Sequence, residues 1–106
     1  EVLQGSAGSP GIATGTARVI LNPNDASSLQ PGDVMIAPTT DPAWTPLFMT
    51  ASAVVVNVGA VASHAAIVSR ELGIPCAVSV ADATDRIRDG STITVDGSTG
   101  TVTIVS

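Results

Sequence analysis

From residue 53 to residue 58 the chain reads Ala-Val-Val-Val-Asn-Val, a nearly continuous apolar run bounded by small residues. A strand with one solvated face alternates apolar and polar positions, so this run predicts a strand covered on both faces, as in a parallel sheet. Residues 76–80, Cys-Ala-Val-Ser-Val, predict another buried strand, and residues 16–21 and 33–37 two more. Near the end, residues 92–95 and 101–105 are rich in β-branched side chains and flank the loop Asp96-Gly-Ser-Thr-Gly100, which predicts a terminal hairpin.

Helix signals fall between these strands. Asn22-Pro23 supplies a cap and a first-turn proline for a short helix ending near Leu29, and Pro31-Gly32 closes that unit. Thr40-Asp41-Pro42 starts a helix over residues 43–51 whose Trp44 and Phe48, one turn apart, are expected in the core. The best-marked helix begins at Ser63 or His64 and ends at Leu72, because Gly73 can adopt the left-handed conformation that ends helices and Pro75 prevents resumption. A short helical turn is expected over residues 83–87. Residues 1–15, dominated by Gly, Ser and Ala, read as a turn-rich lead-in from an interdomain linker, with residues 16–106 as one domain. Strands alternating with helices in the middle and pairing as hairpins at the edges favour an α/β, layered fold over an all-β barrel.

Composition narrows the function. Hydrophobic residues make up 44% of the 106 positions and charged ones 12%, which supports one compact core and excludes disorder. Net charge is −5, lysine is absent, and Arg18, Arg70, Arg86 and Arg88 are dispersed, so no basic stripe can follow a nucleic-acid backbone. The one cysteine, Cys76, lies in an apolar run and reads as a small buried hydrophobe, which fits a reducing compartment. No apolar stretch is long enough for a membrane span, and a cytoplasmic location is expected. One histidine and one cysteine without clustered carboxylates fall short of a zinc ligand set, so no metal site is expected. A serine nucleophile would need that same histidine as its base, and no triad spacing is evident.

The chemistry concentrates in residues 57–75, which run strand, small-residue turn, histidine, helix, glycine stop, strand. His64, reached through Gly59-Ala60-Val61-Ala62, is placed in the first turn of its helix, beside unpaired N–H groups and the positive end of the dipole. That field disfavours the imidazolium, keeping a ring nitrogen free to attack, and stabilises a phosphate once attached. Ser63 can cap the helix or bond the phosphate, and Gly59 and Ala60 leave room for a nucleotide. Arg70 and Glu71 lie nearly two turns on, where ion pairing with their surroundings is the simpler reading and contact between Arg70 and phosphate the weaker one. Standing alone, a single histidine would more often be structural.

The run Gly59-Ala-Val-Ala-Ser-His64-Ala-Ala-Ile-Val-Ser-Arg70-Glu-Leu-Gly-Ile-Pro75 closely resembles the phosphohistidine signature of the phosphoenolpyruvate-utilising enzymes. Ser9-Pro-Gly-Ile-Ala-Thr-Gly15, Pro31-Gly-Asp-Val34, Thr40-Asp-Pro-Ala-Trp-Thr-Pro-Leu-Phe48, Asp89-Gly90 and Val95-Asp96-Gly97 resemble other parts of the same family. Many members carry Gly-Gly where this chain has Gly59-Ala60, and alanine at Ser69. The resemblance implies a three-layer β/β/α swivelling domain with a mainly parallel central sheet and a smaller antiparallel sheet. It implies that His64 is the phosphocarrier nucleophile, with Ser63, Gly59, Ala60 and Arg70 in support. The β-phosphoryl of ATP would come from an ATP-grasp-like nucleotide-binding domain and go to pyruvate or a rifamycin on an acceptor domain. The chain has no lysine and no Gly-x-x-x-x-Gly-Lys loop, so ATP and Mg2+ are expected on those partner domains and no cofactor on this one. The alternative is a non-catalytic docking or spacer module that keeps the fold, for which Ala60 is the hint; a self-sufficient small-molecule-binding domain would instead bind ATP unaided.

Overall fold

The computed structural model describes residues 1–106, apart from the side chains of Ala26 and Ser27. The apolar run at residue 53 forms the middle of a parallel ladder: β5 (Ala53–Val56) lies between β4 (Val34–Ala37) and β6 (Cys76–Val78), and every residue of the three is buried. Their side chains alternate between two cores, as the period of two in a strand requires. Val54 and Val56 face Trp44, Leu47, Phe48, Ala65 and Ala66 on the helical side. Ala53 and Val55 face a second core with Leu3, Ile93, Val95 and Val102. Each fully buried valine contributes roughly 1.5–3 kcal/mol of transfer free energy.

The antiparallel strands do not form a separate small sheet as expected. Strand β3 (Ile12–Val19) is long enough to serve both parts: residues 12–16 pair antiparallel with β7 (Thr92–Asp96), and residues 17–19 pair parallel with β4. The result is one mixed eight-stranded sheet that continues from β7 to β8 (Thr101–Ile104) and β1 (Val2–Gln4) at one end and from β6 to β2 (Ser6–Ser9) at the other. β1 and β2 lie at opposite ends of that order, yet only Gly5 separates them in the chain. The two ends must therefore meet, and the sheet curls around its second core.

Residues 1–15 correct the turn-rich reading, since they form β1, β2 and the start of β3. Their glycines and serines satisfy backbone groups through pairing with distant strands, which local composition does not reveal. The helix expected after Asn22 is a 3-10 segment, Pro23–Ser28, interrupted at Asp25, although Asn22 does accept from the Asn24 N–H at 2.9 Å. The helix expected over residues 43–51 is divided into a 3-10 turn, Pro42–Trp44, capped by Asp41, and α1 (Thr45–Phe48), with Trp44 and Phe48 buried as expected. α2 (His64–Leu72) has its expected bounds, and α3 (Ala83–Arg86) follows. Among the described residues no helix is long and apolar enough to cross a membrane.

Candidate functional site

His64 opens α2, which the turn after β5 delivers to the helical face of the sheet. Ala65, Ala66 and Ser69 form its buried side, so the helix lies against the sheet through small side chains. At its far end Gly73, at φ +73°, ends the helix in the left-handed region, and the Ile74 N–H returns to the Ser69 carbonyl at 3.0 Å. Ser63 occupies the cap position in extended conformation but does not cap with its side chain; its hydroxyl donates to the Ala60 carbonyl at 2.7 Å. The N–H groups of His64, Ala65 and Ala66 are thus left without an intrahelical partner, as at any helix start.

Three side chains from another part of the chain fix the imidazole. Thr40 Oγ1 lies 2.9 Å from Nδ1, Thr45 Oγ1 lies 3.3 Å from Nε2, and the Phe48 ring stands edge-on at 5.6 Å with an interplanar angle of 88°. Such a perpendicular aromatic contact restrains ring rotation. Thr40 follows β4, while Thr45 and Phe48 belong to α1, so the parallel pairing of β4 with β5 brings these two segments together. The sequence singled out Thr40-to-Phe48 for its resemblance and as a helix start, without linking either threonine to His64. The available signal was two hydroxyls bracketing a helix start, which is common and unspecific.

The turn before His64 is held from several sides. Gly59 sits at φ +145°, a region strained for any side chain, and a Cβ there would lie 3.1 Å from Ser63 Oγ. Its carbonyl accepts from Ser79 Oγ at 2.7 Å, and Ser79 itself takes φ +54°. Ser79 was not anticipated; left-handed serine leaves no mark in the sequence. Ala60 is exposed on the turn. Arg70 corrects the ion-pair reading: it donates to the Val61 carbonyl at 2.7 Å and the Gly8 carbonyl at 2.8 Å, and no carboxylate lies within ion-pair distance among the described residues. Behind the turn, a cavity of about 390 Å³ between residues 7–10, Val61, Arg70 and Gly97-Ser98 leaves His64 outside its lining. The cavity is the gap these tethers span.

Burial pushes the Cys76 thiol up to about 11, against the smaller opposing pull of the Ser69 hydroxyl and the Arg70 charge. The Ser69 hydroxyl is itself buried and has no hydrogen-bond partner of acceptable geometry among the described residues. Cys76 is therefore an inert thiol at neutral pH. Among the described residues no three His, Cys, Asp or Glu side chains converge on one point.

The sequence of residues 29–100 matches the family model for the mobile domain of PEP-utilising enzymes. The chain belongs to that family. The mobile domain is 47% identical over 104 residues to the phosphoenolpyruvate synthase of Aeropyrum pernix, covering 96% of this chain and 13% of that protein. It is 42% identical over 105 residues to the rifampicin phosphotransferase of Bacillus cereus, covering 99% of this chain and 12% of the relative. Among solved structures, the solution structure of Enzyme I superposes with a TM-score of 0.65 at 30% identity, over 76% of this chain and 33% of that one. The mobile domain therefore spans about an eighth of the two curated relatives, whose remaining length holds other parts.

Proposed function

We propose that this mobile domain carries phosphate on His64 within a longer phosphotransferase, receiving the β-phosphoryl of ATP from an ATP-grasp-like domain and delivering it to an acceptor domain. The observation that carries the reading is the hold on the ring: Thr40 Oγ1 at 2.9 Å from Nδ1, with Nε2 in the looser, 3.3 Å contact with Thr45. When Nδ1–H donates to Thr40, the lone pair of Nε2 is the nucleophile, because the hydrogen bond at one ring nitrogen fixes the tautomer at the other. Attack at the β-phosphorus is in line: the Nε2–P bond forms as the bridging Pα–O–Pβ bond breaks and AMP leaves with the electron pair. Water on the partner domain then takes the γ-phosphoryl as the Pβ–O–Pγ bond breaks, leaving one phosphoryl group on Nε2. The positive end of α2 favours the phosphoryl group it then holds. Swivelling of the whole domain moves that group between sites, and the acceptor is pyruvate or a rifamycin, by analogy with the two relatives.

We place the ATP and Mg2+ of the loading step on the partner domain, because this chain has no lysine and no Gly-x-x-x-x-Gly-Lys loop. The test is transfer of label from ATP carrying 32P at its β position, with magnesium and the nucleotide-binding domain of the parent protein. Wild-type chain is expected to become labelled, His64→Ala to stay unlabelled, and Thr40→Val to be labelled about tenfold more slowly, the size of one lost orienting hydrogen bond. Label on His64→Ala would refute the assignment. No label on any form, beside an active nucleotide domain, would favour a docking module.

A further inference from the structure

We propose that Arg70 is a positioning residue for His64, acting through the Val61 carbonyl; the proposal rests on the carrier reading above. A trans peptide is planar, with its C=O and N–H pointing in opposite directions, and no cis bond occurs among the described residues. Fixing the Val61 carbonyl on the guanidinium at 2.7 Å therefore aims the Ala62 N–H the other way. The two preceding peptides are held in the same manner: the Ala60 carbonyl accepts from Ser63 Oγ at 2.7 Å and from the Ser63 N–H at 3.0 Å, and the Gly59 carbonyl accepts from Ser79 Oγ at 2.7 Å. Three successive carbonyls are tied back. The opposite N–H groups, on Ala60, Val61 and Ala62, have no acceptor among the described residues, nor do those of His64, Ala65 and Ala66 in the first turn of α2.

Arg70 is the tether that comes from the far part of α2, so it couples the position of the helix to the turn that enters it. Its second bond, to the Gly8 carbonyl at 2.8 Å, anchors the guanidinium on β2 and keeps the fork from following the turn when it moves. With the tie cut, the 61–62 peptide is free to rotate, and the entry of His64 into the helix varies with it. Lysine cannot substitute, since a single ammonium lacks the rigid planar fork that spans two carbonyls. The competing account makes Arg70 a staple between β2 and α2, relevant to stability alone. Ser79 argues for the turn as the object of the design: it is a non-glycine residue held in the strained left-handed region, and there it places a hydroxyl on the Gly59 carbonyl.

The test treats the 106-residue chain with phosphoramidate, a small donor that needs no partner domain; its N–P bond breaks, the histidine N–P bond forms, and ammonia leaves. Phosphorylation rates of wild type, Arg70→Lys, Ser79→Ala and His64→Ala are followed by 31P NMR, with the His64 ring 15N shifts and thermal unfolding recorded for each. Arg70→Lys is expected to remain folded, to react about tenfold more slowly, and to show displaced ring 15N shifts, in line with the rate cost of small misplacements. A folded Arg70→Lys with wild-type rate and unchanged ring shifts overturns the proposal. Should that variant unfold, Ser79→Ala decides, because it loosens the same turn from the β6 side: a wild-type rate and unmoved ring shifts there overturn it equally. Wild-type chain that takes no phosphate on His64 contradicts the carrier reading instead, and the ring shifts of the variants still judge the role of Arg70.

Discussion

His64 owes its fixed ring to Thr40 and Thr45, 24 and 19 positions earlier, and the histidine was legible where its partners were not. Its place at a helix start follows from Ser63 and Gly73, which act locally, whereas a contact across that separation depends on which strands pair. Cys76 gives the residue scale a prediction with a clean background, because the chain has neither lysine nor tyrosine to titrate at high pH. Burial raises its folded value to about 11 from 9.0, so the folded chain holds the proton where the unfolded chain has lost it. Stability is then at its full value below pH 9 and falls as pH rises toward 11, by about 2 kcal/mol across that window. Urea unfolding across this range should show the decline in wild type and a flat response in Cys76→Ala; equal slopes in both would place the thiol in a less buried setting.

At the scale of elements, α2 carries a buried hydroxyl that contributes nothing visible to the site. Ser69 Oγ is fully buried without a partner, in a helix that packs through small side chains. Replacing it with alanine keeps the Cβ, removes the desolvated hydroxyl and improves helix propensity, so Ser69→Ala is expected to raise stability by about 1 kcal/mol in urea titration. A loss of stability would mean that the hydroxyl has a partner in solution, such as the Cys76 thiol. α2 was also the element read most closely from sequence, since its glycine stop and Pro75 act locally. The helix expected over residues 43–51 was read too long: Pro42 and Pro46 favour short turns that aim Trp44, Leu47 and Phe48 into the core, and packing set the ends.

Across the whole molecule, the buried central strands were legible because an apolar run covered on both faces needs no knowledge of its partners. The joining of the two sheet parts was not, because it rests on pairings between the two ends of the chain: Ile12 with Asp96 along β3, Val2 with Thr103 on β1, and Ser6 with Val78 on β2. That closure matters for function. It ties residues 1–9, read from composition as loose lead-in, to the same body that holds His64, so the domain can carry its histidine as a rigid unit. On the proposed carrier role, the motion belongs to the connections with partner domains, and the imidazole is presented at each site in one fixed setting. The most direct measurement of the central claim is the intact mass and acid lability of phosphate on this chain after exposure to ATP, magnesium and the nucleotide-binding domain of its parent. The account predicts one added phosphate that is lost in acid, and none on His64→Ala; an acid-stable phosphate, or the same gain on the variant, would contradict it.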